Sequence, residues 1–296
     1  MVLAKKLLTW YRKEGRRLPW RGTRNPYRIL VSEIMLAQTQ VPRVLLFYSG
    51  WMKKFPNWKS LASASNAQVL RAWAGLGYNR RALMLRDIAR DIVKRGVPQT
   101  EEDWGSLKGI GRYTAAALTV FSLRQIAAPI DTNIRRVIGR AILGLSFPST
   151  ADDEKIRKAL MREMKASEGF ADIPQALFDL ATIYCQKEPA CALCSLRNEC
   201  KSAKRFLSGR VRIPSRMTKK THERIAKNKH YPDRIYRGRI LAYVRDHGRV
   251  SFEKLGPLID EGYRPSDASW LRAMVSRLEA DGMVDCTKTT VQLTKK

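Results

Sequence analysis

The stretch LKGIGRYTAAAL (107–118), followed closely by IDTNIRRVIGR (130–140), decides how this chain is read. The first string is a tight turn, Gly109-Ile110-Gly111, opening directly into an Ala-rich helix. Glycine lets the backbone turn sharply and approach a ligand closely, and a helix start leaves N–H groups unpartnered at the positive end of the dipole. Such a turn is a phosphate site built from backbone. The second string sets one carboxylate, Asp131, at the head of a helix. A phosphate clamp beside a single placed carboxylate points to chemistry on a nucleic acid.

Charge points the same way. The 296 residues carry 56 Lys plus Arg against 27 Asp plus Glu, a formal net charge of +29. A surplus of that size predicts a polyanionic partner, bound with an affinity that falls steeply as salt rises. Hydrophobic residues at 44% and charged residues at 28% indicate a globular chain, long enough for one good core and a small second domain. No apolar run approaches the roughly 20 residues of a membrane span. The N-terminal MVLAKKLLTWYRKEG is amphipathic without a signal-peptide core, so a cytoplasmic, DNA-associated protein with no membrane partner is expected. All three histidines, His222, His230 and His247, lie in the last quarter. The first 221 residues therefore hold no Ser-His or Cys-His nucleophile pair and no histidine base.

Hydrophobic spacing and breakers predict helices over 2–13, 28–39, 41–53, 66–74, 80–94, 101–106, 112–123, 132–143, 151–166 and 173–184, with no strand-type alternation. The first 200 residues are thus all-α. Between 201 and 232 the composition shifts to a basic linker: eleven Lys or Arg stand against one acid, Glu223, in residues 201–230. From about Asp233 to residue 296 the order helix, short apolar RVSF, helix, helix and two short strands is that of a small winged-helix-like α+β domain.

Glu33 is the only charged residue in ILVSEIMLAQTQVP (29–42). Burial would push its pKa upward and make it a general acid; a solvent-facing place at the helix start is the plainer alternative. Asp131 can be an ordinary N-cap, yet its spacing from Ile134, Val137, Ile138 and Ala141 turns it inward, toward a cleft or an interface. Cys185, Cys191, Cys194 and Cys200 form a C-x5-C-x2-C-x5-C run, which in a cytosolic protein indicates a metal centre, either structural zinc or [4Fe–4S]. Cys286 stands apart and reads as a small core residue.

At this point the chain resembles a known family. LPWRGTRNPYRILVSEIMLAQTQV (18–41), GLGYNRRA (75–82), LKGIGRYTAAAL, IDTNIRRVIGR and the cysteine run, in that order, resemble the helix-hairpin-helix DNA glycosylases with an iron–sulfur loop, and most nearly the adenine-specific mismatch glycosylases of the MutY family. The resemblance implies a two-lobed fold and particular roles. Glu33 matches the general acid that protonates N7 of an extruded adenine, and Asp131 the aspartate that stabilises the oxocarbenium ion, with Asn133 holding that site. Tyr113 stands where strand-cutting relatives carry a Schiff-base lysine, which implies base release without strand cleavage. Gln38 and Tyr78 match residues that wedge into the duplex, and Arg16, Trp20 and Arg21 match the adenine-pocket segment. Gly109 and Gly111 would grip phosphate, and the four cysteines would hold [4Fe–4S], with zinc as the alternative.

Four departures accompany the match. Ala37 replaces the first glutamine of a Gln-Gln-Thr-Gln run, Asn79 stands where a second tyrosine often follows, the first cysteine gap is five residues rather than six, and the winged-helix-like segment stands where the family has a Nudix-like domain. The sequence therefore predicts a monomeric, monofunctional glycosylase that removes adenine mispaired with guanine or 8-oxoguanine in double-stranded DNA. The rivals are a thymine or uracil mismatch glycosylase acting opposite guanine and a non-catalytic DNA-binding protein.

Overall fold

A computed structural model describes residues 2–215, residue 223 and residues 225–295. Parts of the basic linker, residues 216–222 and 224 with four of its eleven cations, lie outside the described residues. In chain order the α-helices are α1 (Val2–Glu14), α2 (Pro26–Leu36), α3 (Val41–Lys54), α4 (Trp58–Ala62), α5 (Asn66–Ala72), α6 (Arg80–Arg95), α7 (Glu101–Ser106) and α8 (Arg112–Leu118). They continue as α9 (Thr132–Ala141), α10 (Asp153–Lys165), α11 (Ile173–Ile183), α12 (Ala203–Leu207), α13 (Asp233–His247), α14 (Phe252–Ile259) and α15 (Ala268–Ala280). Three short strands, β1 (Val250–Ser251), β2 (Val284–Cys286) and β3 (Thr290–Leu293), form one antiparallel sheet in the order β1-β3-β2.

The chain divides into two compact units whose borders do not follow sequence order. One comprises Met1–Leu30 and Pro98–Met217; the other comprises Val31–Val97 and Thr218–Lys296. The first border falls within α2.

In the first unit, α9 packs on α11. Ile134, Val137, Ile138 and Ala141 from one helix and Ala176, Leu177, Leu180 and Ala181 from the other are buried. The hairpin before α8 is built as its glycines require. Gly109 has φ +99, a conformation costly to any residue with a Cβ, and Ile110 N donates to Leu107 O at 3.0 Å. Gly111 is the extended N-cap and has no side chain to satisfy the first N–H groups. The helix expected over 112–123 keeps its α form only to Leu118; Thr119–Leu123 widens into a π turn that ends at left-handed Arg124. Thr119 and Ser122 hydroxyls donate to the carbonyls four residues back, which competes with the regular ladder there.

In the second unit, Trp51 on α3 meets Trp73 edge-on at 5.3 Å and Phe55 at 4.9 Å, and α4 lies along α6. Residues 233–295 form the winged arrangement: Tyr236, Ile240 and Val244 on α13 and Leu271, Met274, Val275 and Leu278 on α15 are buried. The apolar RVSF supplies β1, whose Val250 pairs with Val291.

Three local expectations differ from the structure. The stretch from Lys201 is not linker at its start: Lys201 N and Ser202 N donate to Ala141 O and Arg140 O, and α12 follows. Backbone pairing with the end of α9 outweighs the repulsion of its cations. Cys286 is not a core residue but is half-exposed on β2, where its thiol donates to Glu279 Oε2 at 3.0 Å. That carboxylate pushes the thiol pKa up to about 11. The helix expected to reach residue 39 stops at Leu36, because Gln38 is left-handed.

Candidate active site and cysteine-lined cavity

Asp131 is the N-cap of α9, and it is more than a cap. Its Oδ1 accepts from Ile134 N at 2.7 Å and Asn133 N at 2.9 Å, and its Oδ2 accepts from Asn133 Nδ2 at 2.7 Å. Burial raises its pKa above the usual aspartate value, opposed by those three donors and by the positive charge of Arg136. All three donors present N–H to the carboxyl, an arrangement that favours the ionised form. Asn133 is itself held, since its Oδ1 accepts from Arg136 Nη2 at 3.0 Å. Arg136 also donates to Ala181 O at 3.3 Å and Cys185 O at 2.5 Å. A chain of hydrogen bonds thus runs from the cysteine loop to the carboxylate. Arg136 gave no signal in the sequence.

In the same unit, Tyr113 on the first turn of α8 is half-buried and meets Phe178 edge-on at 6.4 Å. Arg16 and Arg21 come together around a residue that the sequence did not mark. Asp179 is fully buried on α11, where it receives Arg16 N at 2.8 Å, Arg16 Nε at 2.7 Å and Arg21 Nη1 and Nη2 at 2.7 and 2.9 Å. Burial would raise the Asp179 pKa, but the two guanidiniums and the backbone donor outweigh it and hold the group below its usual value. Arg21 Nη1 also donates to Arg16 O at 2.9 Å, and Trp20 is buried. Both arginines act here through Asp179 to fix the 16–21 segment. A single Asp in an otherwise apolar helix, LFDLATI, was the available signal.

The four cysteines line one cavity with Val137, Leu180 and Leu196. Arg140, almost fully buried, reaches Cys185 Sγ at 3.5 Å and donates to Gln186 O, Lys187 O and Ser146 O. Burial and the neighbouring sulfurs push the Cys191, Cys194 and Cys200 thiols upward, Cys194 to about 11. Among the described residues, no group of three or more His, Cys, Asp or Glu is set closely enough to hold a single ion.

In the second unit, Glu33 lies half-buried in the middle of α2, between Ser32 and Ile34, both buried. It is therefore neither at the helix start nor fully solvent-facing. Gln38 and Tyr78 are exposed and both left-handed, with φ 65 and 48. Such a conformation stores about 1–3 kcal/mol at a non-glycine residue and persists only where its surroundings impose it. Arg81 imposes it on both loops. Its Nη1 donates to Ile34 O at 2.9 Å, Met35 O at 3.1 Å and Ala37 O, and its Nη2 to Thr39 Oγ1 at 3.0 Å, Gly77 O at 3.2 Å and Leu76 O at 3.4 Å. The guanidinium also lies 5.3 Å from the Tyr78 ring and 5.4 Å from Trp73.

Removing Arg81 should therefore release two loops at once. Charged hydrogen bonds of this kind are worth about 1.5–3 kcal/mol, so Arg81→Ala should slow the base release expected from the sequence by about 10–100-fold under single-turnover conditions. Arg81→Lys should restore little of it, because an ammonium cannot fork between the two loops. A fluorescent base analogue at the target site should show less extrusion in both variants. Full extrusion in Arg81→Ala would remove this role.

Residues 31–166 match the description "HhH-GPD superfamily base excision DNA repair protein". An adenine DNA glycosylase of Mycolicibacterium smegmatis is 36% identical over 246 residues, covering 81% of this chain and 79% of that protein. Those of Mycobacterium tuberculosis and Homo sapiens are 40% and 36% identical, but the matched region spans only 64% and 39% of their own lengths. A solved thermostable thymine-DNA glycosylase superposes on 69% of this chain and 96% of its own, with a TM-score of 0.63 at 26% identity. An endonuclease III–DNA complex shares the fold alone, at TM-score 0.57 and 18% identity. Among the described residues no helix is long and apolar enough to cross a membrane. The relative matched over most of both chains, together with the hairpin, the capped aspartate and the cysteine-lined cavity, places this chain in the adenine DNA glycosylase family of the helix-hairpin-helix base excision repair superfamily.

Proposed function

We propose that the chain is a monofunctional DNA glycosylase that hydrolyses the bond between deoxyribose and an adenine mispaired with guanine or 8-oxoguanine. The observation that carries this reading is the anchored Asp131, a half-buried carboxylate tied by three N–H donors, in a chain whose glycine hairpin opens into a helix that bears Tyr113 and no lysine on its first turn. The Glu33 carboxyl gives its proton to N7 of the extruded adenine. The C1′–N9 bond breaks, and its electron pair leaves with the base. Asp131 holds the positive charge that forms at C1′ and O4′. Water then adds to C1′ and loses a proton to the Glu33 carboxylate, which restores the acid. Two carboxyl groups in different environments suit these two tasks. Tyr113 offers no amine to form a Schiff base with C1′, so the strand stays intact. Gln38 and Tyr78 serve as the duplex wedge, and the Gly109–Gly111 backbone grips phosphate.

The cysteine cavity supports a [4Fe–4S] cluster on Cys185, Cys191, Cys194 and Cys200. Four cysteines from one segment, all lining that cavity, make the all-thiolate ligand set that such a cluster takes. The cluster would supply a structural centre that fixes the 185–200 loop. Residues 1–200 are assigned the catalysis and residues 233–296 a share of the DNA grip. The 26% identity to a thymine-DNA glycosylase gives the second reading, thymine release opposite guanine.

One experiment tests both points. The purified protein should be brown, with iron and acid-labile sulfide in equal amounts and no zinc. On a panel of duplexes, each with one mispair, alkali should cleave at adenine opposite guanine or 8-oxoguanine. Cleavage only at thymine opposite guanine would establish the second reading, and a colourless zinc protein would remove the cluster.

A further inference from the structure

The winged unit is not simply strung behind the glycosylase fold; it is docked beside Tyr78. Asn66, the first residue of α5, is 6% exposed, and its Nδ2 donates to Gly282 O at 2.6 Å in the turn between α15 and β2. That turn needs glycine, with φ +69 at Gly282. Next to it, Arg80 at the head of α6 pairs with Asp281 at 3.4 Å, and α13 lies against α5. Tyr78, two residues before Arg80, lies within electrostatic range of Arg234 on the first turn of α13. Arg234 is 58% exposed, and its partner is Glu223, the one acid among the eleven cations of residues 201–230. The Arg234–Glu223 pair is at the surface, so little holds it together. A phosphate can displace that carboxylate, because it brings charge and a matching pair of acceptors.

We propose that the C-terminal unit is a fixed extension of the Tyr78-bearing part of the chain, in which Arg234 grips the phosphate backbone of the duplex beside the Tyr78 wedge and Glu223 occupies Arg234 until DNA arrives. The occupant is DNA rather than another polyanion because the surface continues from the exposed Tyr78. The inference rests on the glycosylase reading only through the wedge role of Tyr78.

Salt titration of the full-length protein tests it, with a fluorescent duplex carrying one adenine·8-oxoguanine mispair and a matched duplex as control. Arg234→Gln should lower the slope of log K against log salt by about 0.9, the share of one phosphate. Glu223→Gln should tighten binding at low salt when Arg234 is present but not on the Arg234→Gln background, which separates release of Arg234 from the mere loss of one negative charge. Asn66→Asp sets a buried carboxylate against the Gly282 carbonyl. It should expand the particle in small-angle scattering and remove the Arg234 share, so that adding Arg234→Gln changes nothing more.

Three results would overturn the proposal: an unchanged slope in Arg234→Gln, an Asn66→Asp protein that stays compact, or an expanded one that keeps the Arg234 share. If no mispair is processed but Arg234 and Glu223 still govern the salt slope, the catalytic reading fails and the docked grip stands.

Discussion

Glu33→Gln and Asp131→Asn should each nearly abolish base release, by about 10²–10⁴-fold under single-turnover conditions, with little change in DNA affinity. Glutamine keeps the size and position of Glu33 but has no proton to give at N7. The Asp131 substitution separates charge from folding, because asparagine caps a helix about as well as aspartate. An amide at 131 can still accept from the backbone of Asn133 and Ile134, but its own N–H2 would face Asn133 Nδ2. Asn133 must then turn over and give up its bond from Arg136, a loss of about 1 kcal/mol. Asp131→Asn should therefore be slightly less stable and almost inactive. Asp131→Ala should lose the cap as well. Near-normal rates in either Glu33→Gln or Asp131→Asn, measured with enzyme in excess, would defeat the proposed chemistry.

The second large effect lies at a residue that touches no substrate. Asp179→Asn leaves two guanidiniums facing a neutral amide in a site where Asp179 is fully buried and the Arg21 side chain only 11% exposed. Breaking a buried pair from one side costs about 3–5 kcal/mol. The loss should appear in chemical denaturation at pH 7. Its pH dependence has a definite sign. The Asp179 pKa is lower in the folded protein than its ordinary value of 3.8, so its stabilisation is complete above that value and disappears as pH falls through the lower, folded-state pKa. The stability gap between wild type and Asp179→Asn should be constant above about pH 5 and shrink in acid. Because Arg16 and Arg21 fix the segment that carries Trp20, base release should also fall. A gap that widens in acid would contradict the ion-pair account.

Much of the fold could be read along the chain. Helices α1, α3, α6, α7 and α11 lie within a residue or two of their predicted limits; α1, α3 and α6 each have an apolar stripe of helical period and a glycine or proline just past the end. Gly109 announced a sharp turn, and Asp131 a cap, because both are local devices whose chemistry involves only neighbouring residues. The short α4 carried too few periods to register, although Asn57 and Ser60 close a capping box around its start.

What the sequence by itself determined, then, is the set of local pieces: the hairpin, the helical order, the cysteine run, the polyanion-seeking charge and the candidate carboxyl groups. Tertiary structure alone decided which distant polar groups meet. Arg81 reaches back 42 to 47 residues to pin the Gln38 loop, Asp179 gathers Arg16 and Arg21 from more than 150 residues away, and Asn66 meets Gly282 across 216. In a chain with 56 Lys and Arg, no single arginine stands out by composition. A guanidinium becomes specific only when folding removes its water and leaves it one set of acceptors, and that desolvation is a property of the packed molecule rather than of any segment.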